Sequence, residues 1–130
     1  MQNKLAALRQ FLILLIMMCG SQAYASSPIK DVMWTFKSHA YNLSKMLSGD
    51  KNFDPSVVDK ALATYLDGAT KLRDNLPDKG QDLPDIKKRF GDLVIAIDEN
   101  RGLIIDQSSF QTQYRKITQV CNSCHDKYDP

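Results

Sequence analysis

The chain has 130 residues, a length for one domain and too short for a large multi-layer enzyme fold. Charged residues make up 25% and apolar ones 43%, the balance of a globular protein and not of a disordered tail. Seventeen basic against fifteen acidic side chains leave a formal charge of +2, too small for a nucleic-acid-binding surface.

Lys4 and Arg9 precede an apolar run from Phe11 to Met18, and Cys19-Gly20-Ser21 and Ala23-Tyr24-Ala25 follow. This is the layout of a secretory signal: a basic region, a short apolar region and an A-x-A cleavage site. Cleavage is expected after Ala25, so residues 1–25 are read as an export signal and residues 26–130 as the working domain. The apolar run is well short of the roughly 20 residues that a membrane-spanning helix needs. A lipid anchor on Cys19 would call for a small residue where Met18 stands, so no permanent membrane anchor is expected. Loss of Lys4 and Arg9 leaves 15 basic residues against 15 acidic ones, a formal charge of zero. Loss of Cys19 turns an odd set of three cysteines into a pair, Cys121 and Cys124.

The rest of the chain carries helical periodicity and no Asn-Gly hairpin signal. A first helix starts at Ser26-Ser27-Pro28, runs through Ile29, Met33, Phe36, Ala40, Leu43 and Leu47, and stops at Gly49. A second follows the cap-and-proline pair Asp54-Pro55, with Val58, Leu62, Tyr65, Ala69, Leu72 and Leu76 on one stripe, and breaks at Pro77-Asp78-Lys79-Gly80. A third starts at Asp82-Leu83-Pro84, with Ile86, Phe90, Leu93, Ile97 and Ile104. Ser108 or Ser109 is expected to cap a fourth carrying Phe110, Tyr114, Ile117, Val120, Cys121 and Cys124. Four helices of about 18 to 23 residues with short loops imply antiparallel neighbours in an all-α, up-down-up-down four-helix bundle. Polar stretches such as Lys87-Lys88-Arg89 read as solvated surface.

Cys121-Asn122-Ser123-Cys124-His125 is a C-x-x-C-H pentad, which in an exported chain reads as a haem c attachment site. Two thiols add to the two vinyl groups of one covalent haem, and the adjacent imidazole is the proximal axial ligand of the iron. Residues at i, i+3 and i+4 share a helix face, so all three groups can meet one porphyrin. Three other readings compete. A thioredoxin-like dithiol wants a βαβ context. A disulfide three residues long is geometrically poor. A zinc site needs a fourth ligand, and the only other histidine is His39.

Antiparallel packing sets the start of the first helix level with the end of the fourth. Met33, on the apolar stripe of that first helix, is therefore the expected distal axial ligand, with core packing as its alternative role. Met46 lies thirteen residues further on, roughly 20 Å at 1.5 Å per residue, and belongs to the other end. His39 is turned away from the Met33 face and reads as a surface or boundary residue. Phe36, Phe90, Leu93 and Ile117 are candidate pocket residues. Arg115 and Lys127 are candidates for the haem propionates beside a plain solvated role.

The C-terminal run Cys121-Asn-Ser-Cys-His-Asp-Lys-Tyr128 resembles the end of the fourth helix in cytochromes c′ and c556. Asp31-Val-Met-Trp-Thr-Phe-Lys-Ser-His-Ala-Tyr-Asn-Leu43 resembles the first helix of cytochrome b562, with Met33 at its axial methionine position. Arg89-Phe90-Gly-Asp-Leu-Val-Ile-Ala-Ile-Asp98 is similar to its third helix, which contributes an aromatic to the haem pocket. The resemblance covers about residues 28 to 128. It implies a left-handed bundle with haem near one end, a bacterial periplasmic location, and often a homodimer through the first two helices. Trp34, Tyr41 and Tyr65 could serve such a surface or the core. Many cytochromes c′ carry an arginine where Asp129 stands, and five-coordinate members carry an apolar residue where Met33 stands. Both departures favour a six-coordinate centre.

The expected function is electron transfer with unidentified redox partner proteins, and not enzymatic catalysis. The alternative is binding of nitric oxide or carbon monoxide at an open or displaceable distal position.

Overall fold

The computed structural model describes residues 27–128; the segment read as an export signal, with its expected cleavage after Ala25, lies outside the described residues. The described residues form four helices: α1 (Ser27–Ser48), α2 (Pro55–Asn75), α3 (Leu83–Arg101) and α4 (Gln107–Tyr128). None of them is long and apolar enough to cross a membrane. The chain divides into two units, residues 1–31 and residues 32–130. Of the first, the described residues form the opening turn of α1; the packing below concerns the second.

The helix ends follow local chemistry. Gly49, with φ +84°, takes the left-handed position that ends α1. The Asp54 carboxylate accepts hydrogen bonds from the Ser56 and Val57 amides at 2.9 and 3.3 Å, which caps α2. Leu76 closes α2 in extended backbone, as the following Pro77 requires. The first turn of α3 departs from expectation. Asp82 precedes it with φ +66°, and its side chain makes no capping bond. The left-handed backbone carries the carboxylate away from the amides it would cap; instead the Asp82 carbonyl accepts from the Ile86 amide at 2.9 Å. The third helix also ends at Arg101, so Ile104 lies in the following loop.

At α4 the cap is Asp106 and not a serine. The Ser109 amide donates to the Asp106 carboxylate at 2.8 Å, while the Ser109 hydroxyl oxygen accepts from the Asp106 and Ile105 amides at 3.0 and 2.9 Å. This is a reciprocal capping box with serine in the role usual for Glu.

The packing is antiparallel throughout. Gln107 and Gln111, at the start of α4, donate to the Met46 and Leu47 carbonyls at the end of α1 (2.8 and 3.4 Å). Asp59, early in α2, pairs with Arg101 at the end of α3 (2.7 Å). Arg89, early in α3, donates to Ser123 near the end of α4 (2.9 Å). The core runs along the bundle through Leu43, Val58, Leu62, Ile97, Phe110 and Ile117, all below 2% exposed. Each such side chain contributes about 1.5–3 kcal/mol of burial free energy.

Gly68 lets α1 come close to α2: a Cβ there would sit 2.7 Å from the Phe36 ring and 2.9 Å from Val32. Phe36 then packs on Tyr65, with ring centroids 4.8 Å apart. Tyr65 is thus a core residue, whereas Trp34 and Tyr41 stand exposed on α1 with Lys37 and Lys45 over their rings.

Candidate haem-binding site

The pentad occupies the last two turns of α4. Helical spacing sets Cys121, Cys124 and His125 on one side of it. Both thiols are free and half-buried, and His125 is exposed. Burial pushes the Cys121 thiol up to about 11, with Cys124 adding to the effect, and burial also raises Cys124. The pair is therefore held as neutral thiols at neutral pH. Two neutral, reachable thiols three residues apart, followed by an imidazole, fit covalent haem.

Inward from Cys121 lie two tyrosines that the sequence reading placed in the core without linking them to the site. Tyr65 and Tyr114 are each 5% exposed, and Cys121 is close enough to add to the rise of both phenols. Burial is the main cause that raises both phenols, and Tyr114 raises Tyr65 further. Tyr65 donates to the Phe36 carbonyl at 3.4 Å, and Tyr114 stacks on Phe110 at 5.2 Å. A tyrosine on an apolar stripe looks like any core aromatic in sequence. Only the fold shows that these two sit beside the first cysteine.

The remaining candidates fall as follows. Phe90, Leu93 and Ile117 are buried. Phe36 is half-buried in the α1–α2 contact. Met33 is half-buried on α1. The hydrogen bonds between α1 and α4 set its level. Thirteen residues back from Met46 is Met33, and thirteen on from its partner Gln107 is Val120. Fourteen from the Leu47–Gln111 pair reaches His125. Met33 is thus level with the span 120–125 that holds the pentad. His39 is half-buried, edge-on to the Tyr65 ring at 6.4 Å, a boundary position. Arg115 is exposed, and Lys127 is bound to Asp85 at 3.1 Å.

The Lys87-Lys88-Arg89 stretch is more than solvated surface. Lys87 pairs with Asp78 at 2.7 Å and Lys88 with Asp92 at 3.0 Å. Arg89 is only 22% exposed and bridges Asp85 to Ser123. An open groove between α2 and α3, lined by Arg73, Pro84, Lys87, Gly91 and Ile95, includes none of the candidate site residues.

No family profile matches the chain. A curated cytochrome c′ from Rhodopseudomonas palustris is 33% identical over 99 residues, spanning 66% of this chain and 68% of that protein. The solved cytochrome c′ of Rhodopseudomonas palustris superposes with a TM-score of 0.69 at 25% identity, covering 78% of this chain and 92% of its own. A mutant of that cytochrome gives 0.66 at 25% identity, covering 75% and 89%. A structural model of oxidized R. palustris cytochrome c556 gives 0.62 at 22% identity, covering 77% and 93%, which is a likeness of fold. With the bundle, the C-terminal pentad and a relative at this identity in agreement, the chain belongs to the cytochrome c′ family of haem proteins.

Proposed function

We propose that this protein is an exported, periplasmic electron carrier whose haem iron is bound by His125 and Met33. Covalently attached haem c is the cofactor; when bound, it supplies an iron that cycles between ferric and ferrous states. Cys121 and Cys124 would hold it through thioethers, and His125 would give the proximal nitrogen. The observation that carries the reading is the level of Met33, half-buried on α1 opposite the span 120–125. A thioether there fills the position that a gas or substrate would use, and it favours the reduced state. Phe90, Leu93 and Ile117 are buried and would supply apolar surroundings for the haem. No enzymatic step is assigned to the chain.

Membership of the cytochrome c′ family supports a second reading, binding of carbon monoxide or nitric oxide at an open or displaceable position. Absorption spectra of the ferric and ferrous protein, with and without carbon monoxide, separate the two. A low-spin spectrum with the far-red band of a methionine–iron bond, unchanged by carbon monoxide, is expected. A high-spin resting spectrum or ready gas binding would establish the second reading. The Met33→Ala variant should become high-spin and gas-reactive; an unaltered spectrum would remove Met33 from the ligand set.

A further inference from the structure

We propose that Asp85 is a positioning residue for the haem-attachment turn, acting from α3 through Arg89, Lys127 and Tyr128. The inference rests on the haem reading of Cys121, Cys124 and His125. One carboxylate oxygen, Asp85 Oδ2, accepts from Arg89 Nε at 2.9 Å, from Lys127 Nζ at 3.1 Å and from the Tyr128 hydroxyl. Arg89 extends the network, with Nη1 donating to Ser123 Oγ at 2.9 Å. Lys127 and Arg89 also lie over the Tyr128 ring, at 5.0 and 5.7 Å. Three α4 residues are therefore tied to α3: Ser123 before the Cys124–His125 pair, and Lys127 and Tyr128 after it.

The need for such a device follows from where the site sits. His125 is in the last turn of its helix, where the final carbonyls lack intrahelical partners and the backbone frays. A ligand set works only when its supporting residues hold it within about 0.5 Å. Ser123 and Lys127, four residues apart, share one flank of α4. At roughly 100° per residue that flank is rotated off the direction of Cys121 and His125. Tyr128, seven residues after Cys121 and four after Cys124, lies on the cysteine side of the helix, so the network holds the turn both from that side and from the Ser123–Lys127 flank. Ion pairs as exposed as Asp85 (37%) with Lys127 (53%) add little stability. Orientation, and not stability, is what this geometry can supply.

The test uses the haem-loaded protein and four variants. Asp85→Asn removes the shared acceptor. Arg89→Lys and Tyr128→Phe each remove a contact without changing charge. Asp59→Asn breaks a comparable interhelical pair at the opposite end of the bundle. Ferric electron paramagnetic resonance reports the orientation of the axial ligands. The three variants near Asp85 should broaden or split the ferric signal, low-spin or high-spin, at least twofold in width. They should also change the reduced-to-oxidised ratio at a fixed applied potential at least threefold. Asp59→Asn should leave both unchanged at an equal or greater loss of thermal stability. Unchanged spectra in Arg89→Lys and Tyr128→Phe, or equal changes in Asp59→Asn, would overturn the proposal, and Arg89→Lys suffices should Asp85→Asn not fold. A wild-type chain that keeps no haem on a denaturing gel overturns the haem reading itself, a result distinct from any difference among variants.

Discussion

Gly68 and Gly91 both lie inside helices, and the same substitution should act on them with opposite sign. At Gly68 a methyl group would stand 2.7 Å from the Phe36 ring, which is itself pinned against Tyr65. Overpacking of that kind costs about 1–3 kcal/mol, more than the roughly 1 kcal/mol that alanine gains over glycine in a helix. Gly68→Ala should therefore lower stability by about 1 kcal/mol in urea denaturation. At Gly91 the nearest atoms are the Arg73 stem at 3.6 and 3.7 Å, ordinary contact. Gly91→Ala should raise stability by about 0.5–1 kcal/mol in the same assay. Residue by residue, the candidate attachment site could be read from the sequence where neighbours in the chain make it: Cys121, Cys124 and His125 stand out by their spacing. Tyr65, Asp85 and Arg89 were not, because the partners that link them to other helices lie 29 to 43 residues away. Arg89 and Ser123, for example, are 34 residues apart.

Asp54 and Asp82, which precede α2 and α3, differ in their backbone and in their capping. Asp54 has extended backbone (φ −128°) and bonds two amides of α2. Asp82 has φ +66° and bonds none through its side chain. Asp54→Ala should cost about 1 kcal/mol through the lost cap. Asp82→Gly should stabilise by a few tenths to about 1 kcal/mol, since glycine takes a left-handed backbone without strain. Thermal denaturation of the two variants side by side checks both signs. In sequence the pairs Asp54-Pro55 and Asp82-Leu83-Pro84 look alike, and each does mark a helix start. The backbone angle that decides whether the carboxylate works is set by the preceding loop, which carries no such signal. The extent of α1 and α2 was legible from the apolar stripe and the stops at Gly49 and Pro77. Ile104 misled because an apolar residue three past a helix end still falls on the stripe.

For the molecule as a whole, carboxylates that partners hold ionised contribute to the loss of stability in acid. Asp59 is held below its ordinary value of 3.8 by its hydrogen bond to Arg101, and Asp106 by the Ser109 amide. A lowered folded value means that the unfolded chain binds the proton first. The stabilisation is therefore complete above the unfolded value and is lost as pH falls through it toward the folded one. The melting temperature should be level from about pH 7 to 5 and drop below about 4.5. Asp59→Asn should flatten part of that drop when melting is followed by circular dichroism across the series. The same charges have a second consequence. A core of Leu, Ile and Val tolerates a slide of one helix along its neighbours by a turn, about 5.4 Å, because one aliphatic side chain replaces another. The pair Asp59–Arg101 ties α3 to α2 at one end, and Asp85 with Arg89 ties it to α4 at the other. A slipped α3 would keep its grease and lose both ties. The ionic ends thus work as a vernier: they add little energy, yet they select one axial register from several that the apolar stripe alone would accept.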